Sequence, residues 1–351
     1  MRCSMTAHGM RLAAQSDKSS HAVDMETVIS IGSINADFQM RVDEPPGGKE
    51  TLAGRELIRP SGGKAANVAY LARLLGIESR LIGMVGDDDL ASQALDPLRR
   101  AGVDVSRVRV ATGHATSVAV ILVPPDGKKR IVHVYNANDV WDEAALAALE
   151  HEIEAAPRSA VVTVDAEIAT DAAALAIRTA TRRGLRAVLD PSPTERTSVS
   201  PIADLLPDLH AITPNNEEAT VLTGIEIKDD ESAARAAEAL HARGIALACV
   251  KLADGGCVAA FDDSTLFIAA TPVAVVDTTG AGDGFTGALS IALARGVPPD
   301  EAVLYAAAVS HWSVTRYGSQ AAYPGPDELQ PMIERLRGGV RRVPRGQRVH
   351  R

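Results

Sequence analysis

The chain has 351 residues, 46% hydrophobic and 23% charged, which excludes a predominantly disordered or fibrous protein and leaves room for one large α/β domain with a sizeable core. Its 45 acidic and 36 basic side chains give a formal charge of -9, and 4 Phe, 5 Tyr and 2 Trp offer few stacking surfaces, so nucleic acid is excluded as a partner. Three cysteines, Cys3, Cys249 and Cys257, without a C-x-x-C pair, and no 18-residue apolar run or signal-peptide core, predict a cytoplasmic protein with no membrane partner.

Residues 1–25 have no sustained apolar period and read as a loose tail ahead of a domain at 26–337. A β-branched strand at 28–31 is followed by Gly32-Ser33-Ile34-Asn35-Ala36-Asp37, and residues 38–60 are rich in Pro and Gly with extended pieces. Ser61-Gly62-Gly63-Lys64-Ala65-Ala66-Asn67 opens a helix at 65–75; a strand at 81–85 and a helix at 90–100 come next. Extended runs at 117–123 and 130–135, joined by Pro-Pro-Asp-Gly, read as a hairpin. Strands at 161–164, 187–189 and 247–250 then alternate with helices at 172–183 and 233–243, and Gly76, Gly184 and Gly244 stand where C-capping glycines belong.

This alternation implies βαβ units on a parallel sheet covered on both faces, with the segments at about 38–60 and 115–137 forming a small β lid. Residues 338–351 carry Arg341, Arg342, Arg345, Arg348 and Arg351 among Pro and Gly and read as a solvated basic tail.

Val275-Val276-Asp277-Thr278-Thr279-Gly280-Ala281-Gly282-Asp283-Gly284-Phe285 precedes an apolar helical run at 288–294. A strand passing through a glycine-rich turn into a helix aims unpaired N–H groups and the positive end of the dipole at one point, an anion site. Asp283 at that helix start either caps the turn or accepts the proton of an attacking hydroxyl. The P-loop and dinucleotide fingerprints both fail: neither Gly48-Lys49 nor Gly63-Lys64 has the required spacing, and Phe285 stands at the third glycine position.

Asn35, Asp37, Lys64 and Asn67, beside the closely approachable Gly62-Gly63, suit a polyhydroxylated ligand or serve as turn and cap residues. Asn215 and Glu218, in Ile212-Thr213-Pro214-Asn215-Asn216-Glu217-Glu218, either hold a hydrated Mg²⁺ or cap a helix. Lys251-Leu252-Ala253-Asp254-Gly255-Gly256 is a loop beside a nucleotide or a plain hairpin turn.

Together these segments resemble the ribokinase-like (PfkB) carbohydrate kinase family, from about residue 28 to about 323. The family's C-terminal signature reads Asp277 to Asp283 here, and GSINAD, GGKAAN and ITPNNEEA occur in the family's order. The resemblance implies a Rossmann-like three-layer α/β/α sandwich with a β-sheet lid, and ATP-dependent phosphorylation of a primary hydroxyl on a ribose-like sugar. It implies that Asp283 is the base and the Gly280, Ala281 and Gly282 amides the anion hole, and that Asn35, Asp37, Gly63, Lys64, Asn67 and Glu167 contact sugar. It places Asn215, Lys251, Ala253, Asp254, Gly256 and Gly282 on the nucleotide and Glu218 near Mg²⁺.

Asp277, Thr279, Ser313, Arg316 and Gly318 match positions around a monovalent cation, K⁺, and a homodimer through the lid follows from the same likeness. The sequence departs from the family pattern at Ala65 (for Gly), Asp190 (for Asn), Lys251 (for Thr) and Ala322 (for Ser). Competing readings are a family member for a ketose, a 2-keto-3-deoxy sugar acid or a nucleoside, and a non-catalytic sugar-binding regulator. An acid substrate calls for an added cation, with Arg41, Arg55 and Arg59 as candidates.

Overall fold

A computed structural model describes residues 26–45, 47, 51–193, 196 and 202–345; the expected tail at 1–25 and residues 346–351 lie outside them. The chain forms β1 (Thr27–Ile31), then β2 (Asn35–Val42), β3 (Gly54–Ile58) and β4 (Ser61–Gly62). After helix Lys64–Leu74 come β5 (Glu78–Ile82) and β6 (Met84–Gly86), then β7 (Arg109–Ala111), β8 (Ser117–Val123) and β9 (Arg130–Val134). β10 (Val161–Asp165), β11 (Arg186–Asp190), β12 (Ala211–Ile212) and β13 (Leu247–Lys251) are separated by helices, and β14 (Cys257–Phe261), β15 (Ser264–Ile268) and β16 (Val340–Pro344) complete the set.

The main sheet runs β16-β15-β14-β13-β12-β11-β10-β1-β5. From β13 to β5 it is parallel, and β14 to β16 continue it antiparallel. Strand residues alternate between two cores. Val28, Val161 and Val188 face Val68, Leu71, Phe285 and Leu289, whereas Ile29, Ile31, Val162 and Val164 face Leu149, Ile153 and Ile177. Both faces are thus covered by helices, and each such buried Leu, Ile or Phe contributes about 1.5–3 kcal/mol. Among the described residues no helix is long and apolar enough to cross a membrane.

A second sheet, β3-β2-β8-β9 with β4 beside β2, is the lid, and its β8–β9 hairpin pairs antiparallel as the sequence implied. It begins at Asn35, so Asn35 and Asp37 sit on a lid strand rather than in a loop.

Three expectations need correction. The strand at 81–85 breaks at Gly83, where a Cβ would stand 2.7 Å from the Gly32 carbonyl; β5 joins the main sheet and β6 pairs with β7. Residues 275–279 form no strand; the Val276 and Asp277 amides both donate to the Val314 carbonyl instead. The end of the chain is not a solvated tail from 338 onward, because Val340–Pro344 pairs with β15 and lays Arg341 and Arg342 over the rings of Phe267 and Phe261.

Candidate active site

Asp165, Asp190 and Lys251 are the last residues of β10, β11 and β13, and Gly32-Ser33 follows β1, so chemistry-bearing groups gather at the carboxyl edge of the parallel strands. Ligands in open α/β sheets bind at that edge. Helix Ala281–Ala294 is apolar and buried around nearly its whole circumference, which fixes its N-terminus against the same edge. Gly280 caps it with φ 75, and a Cβ there would stand 2.8 Å from Ser319 Cβ. The Gly282 and Asp283 amides have no backbone acceptor among the described residues and are available to an anion, whereas the Ala281 amide, expected in the anion hole, donates to the Thr278 carbonyl at 3.4 Å.

Asp283 is 9% exposed. Its Oδ2 accepts from Asn67 Nδ2 at 2.7 Å, and Lys64 Nζ lies 3.4 Å from its Oδ1. Asp283 lines a small void of about 10 Å³ and two wider cavities. The larger, about 590 Å³, is walled by Asn215, Glu218, Lys251, Ala253 and Gly280 to Gly282; the smaller, about 90 Å³ under the lid, by Asn35, Asp37, Gly63, Asn67 and His133. Lys64, Lys129, Glu167 and Gly280 border both.

In the smaller cavity Asp37 Oδ1 is buried without a partner, an acceptor that a ligand hydroxyl would satisfy. Burial, then Glu167 and Asp283, hold Asp37 well above the usual carboxylate range. Asn35 Oδ1 accepts from Asn138, and Glu167 accepts from Ser33 Oγ at 2.9 Å. Burial disfavours the Lys64 ammonium, but Asp190 and Asp283 beside it more than compensate and raise its pKa.

Burial pushes Asp165 and Glu167 together above the usual carboxylate range. The folded protein thus keeps a proton here that the unfolded chain releases near pH 4, so this contribution to stability is full at low pH and is lost as pH rises through the raised values. Glu167→Gln, which cannot ionise, is expected to lose less stability than wild type between pH 5 and 9. Thermal unfolding of both proteins across that range checks it, and parallel curves would contradict it.

At the larger cavity, the capping reading of Asn215 and Glu218 is realised. Asn215 accepts from the Glu218 amide, and Glu218 accepts from the Asn215 amide and side chain, while both still face the cavity. Lys251 and Ala253 line that cavity but Asp254 and Gly256 do not; Asp254 accepts from the Gly256 amide at 2.8 Å and closes the β13–β14 hairpin. Asp277, fully buried, accepts from Thr279 N, Thr279 Oγ1, Gly318 N and Gln39 Nε2, so Asp277, Thr279 and Gly318 come together. Ser313 bonds to Ser310, and Arg316 turns outward onto Glu328. Among the described residues no group of three or more His, Cys, Asp or Glu could hold a metal ion.

Sequence reasoning missed Lys129 and His133 as site residues. Lys129 Nζ donates to the Thr278 carbonyl at 3.0 Å, and burial lowers its pKa. Burial, with Lys64 nearby, lowers His133 to about 4, leaving a neutral ring against Ser117. Period-2 alternation puts Ile131 and His133 on one face; nothing in the sequence says that this face turns toward Asp283.

A model of the pfkB family of carbohydrate kinases matches residues 25–325. A ribokinase of Haemophilus influenzae is 30% identical over 88% of this chain and 99% of its own, and one of Bacillus subtilis is 30% identical over 88% and 100%. The solved structure of Arabidopsis thaliana ribokinase complexed with ribose and ATP superposes with a TM-score of 0.74 at 25% identity, covering 88% of this chain and 99% of that one.

Proposed function

The chain belongs to the pfkB family of carbohydrate kinases, and from that membership we propose that it is an ATP-dependent kinase of D-ribose with Asp283 as the general base. It is a sugar kinase of the ribokinase type. The observation that supports the residue assignment is that Asp283 borders both cavities next to the unpaired Gly282 and Asp283 amides at the glycine turn.

A primary hydroxyl of the sugar, seated by Asn35, Asp37, Asn67 and Glu167, gives its proton to Asp283. Its oxygen bonds to the γ-phosphorus as the bond to the β–γ bridging oxygen breaks, and ADP leaves. The Gly280–Gly282 turn supports the charge on the moving group. The lid excludes the water that would otherwise take the phosphoryl group.

Mg²⁺ fits through its waters on Glu218, whose buried carboxylate faces the larger cavity; it would neutralise phosphate charge. A monovalent cation fits beside Asp277, a fully buried carboxylate contacted only by neutral donors among the described residues, with Gln39 Oε1 buried and unpartnered nearby. It would stiffen the loop that leads into the anion turn.

Ribose is favoured over a nucleoside because the lid-side cavity is small and neither Phe38 nor Tyr135 lines it; Arg59 covers Phe38 and Arg196 covers Tyr135. The arginines that an acid substrate would use are also spent. Arg41 pairs with Glu56 and Arg55 with Asp43, and Arg59 bonds Gln93. The lid's edge strands expose Leu57 (58%) and Val132 (66%), which supports a homodimer through the lid. ADP release measured across D-ribose, 2-deoxyribose, fructose, ketodeoxygluconate and adenosine tests the reading. The highest kcat/KM is expected with D-ribose, and a higher value with any other compound would overturn that specificity.

A further inference from the structure

We propose that Lys251, held in place by Asp190, is the cation that meets the transferred phosphoryl group from the core side of the site, an inference that rests on the kinase reading above. Both residues end strands at the cavity edge, and only the two-residue β12 lies between them. Two strand spacings, about 9.6 Å, are within the reach of a lysine and an aspartate that point the same way. Their charged atoms meet at 3.8 Å.

The direction of Lys251 is fixed by the glycine turn. Its Nζ lies 3.3 Å from where a Cβ on Gly282 would stand, so the missing side chain leaves the ammonium room beside the anion hole. At 3.8 Å from Asp190 it makes an ion pair without spending its N–H donors, which stay available to phosphoryl oxygens.

Asp190 is 3% exposed and fully engaged. Ser192 N donates to its Oδ1 and Thr286 Oγ1 to its Oδ2, and Lys64 Nζ stands 3.4 Å from Oδ1. Burial disfavours its charge, but Lys64 and Lys251 outweigh that and keep it an anion. A carboxylate this near the triphosphate would repel it if alone; between two ammonium groups it instead positions them, Lys64 toward Asp283 and Lys251 toward Gly282. Asp190 is therefore a positioning residue and Lys251 a catalytic one.

The test is a double-mutant cycle on the full chain with Lys251→Thr, Lys251→Arg, Asp190→Asn and the Asp190→Asn/Lys251→Thr pair. kcat and both KM values are read with ATP and D-ribose, and calorimetry reads binding of AMP-PNP and of ADP. Lys251→Thr is expected to lower kcat roughly 10²-fold, leave the sugar KM within about twofold, and abolish the preference for AMP-PNP over ADP. Lys251→Arg keeps the charge and is expected to stay within about tenfold of wild type.

The double variant is expected to be less impaired than the product of the single effects, because it removes the stranded charge together with its partner. Lys251→Thr with kcat within about threefold of wild type and its triphosphate preference intact would overturn the proposal, as would single effects that simply multiply. If wild type phosphorylates no sugar, the kinase reading fails on its own; the AMP-PNP against ADP comparison needs no turnover and still decides the role of Lys251.

Discussion

Asp283→Asn is expected to lower turnover by roughly 10²–10⁴-fold, the usual worth of a positioned general base, while the protein still folds and binds ATP. The carboxylate is nearly buried and accepts from Asn67 on one oxygen with Lys64 at the other, so its geometry is fixed before a sugar arrives. An amide in its place fills the same volume and keeps one acceptor, which preserves packing. It cannot take a proton from a hydroxyl at neutral pH. Steady-state kinetics with a parallel calorimetric measurement of ATP binding separates these effects. Turnover within tenfold of wild type would remove Asp283 as the base.

Gly63→Ala is expected to cost about 3 kcal/mol or more of stability and to weaken sugar binding at the same time. Gly63 has φ 97, and a Cβ there would lie 2.3 Å from the Ser33 carbonyl oxygen and 2.8 Å from Ile34 Cα. Such a backbone conformation alone costs a side chain about 1–3 kcal/mol, and the overlap is with main chain, which no rotamer change relieves. Relief requires moving Ser33 and Ile34, which carry Asn35 with them, or the start of the helix that presents Lys64 and Asn67. Urea unfolding and sugar titration of the variant measure both consequences. Unchanged values would show that the two segments approach less closely than described.

Much of this site is legible in the sequence because glycine and β-branched runs encode backbone geometry locally. Gly280-Ala281-Gly282-Asp283 before an apolar helix specifies an anion turn with one carboxylate, and the short β-branched strands around Val28 and Val161, alternating with helices, specify a parallel sheet whose carboxyl edge holds the site. What was not legible depends on contacts distant in the chain. Asp254 and Gly256 belong to the right loop, but hairpin geometry turns Asp254 onto its own turn rather than the cavity.

The strand Val340–Pro344 looked like a solvated tail because its outward arginines dominate the composition; Phe267 and Phe261 give those guanidinium groups an aromatic surface to cover. Lys129 and His133 reach the site only because the lid hairpin folds over it, with the Gly127 carbonyl accepting from Thr278 N and Oγ1. Asp190 and Lys251 are unremarkable singly, and their pairing exists only in the sheet order.

The most direct test of the central claim is the product itself. Wild-type protein incubated with ATP, Mg²⁺ and D-ribose should give, in proton-coupled ³¹P NMR, a phosphate monoester signal split by the two protons of a CH₂ group, growing in step with ADP and roughly 10²–10⁴-fold more slowly with Asp283→Asn. Inorganic phosphate as the sole new phosphorus signal, or ADP formed at the same rate without sugar, would contradict transfer to a primary hydroxyl and with it the role given to this site.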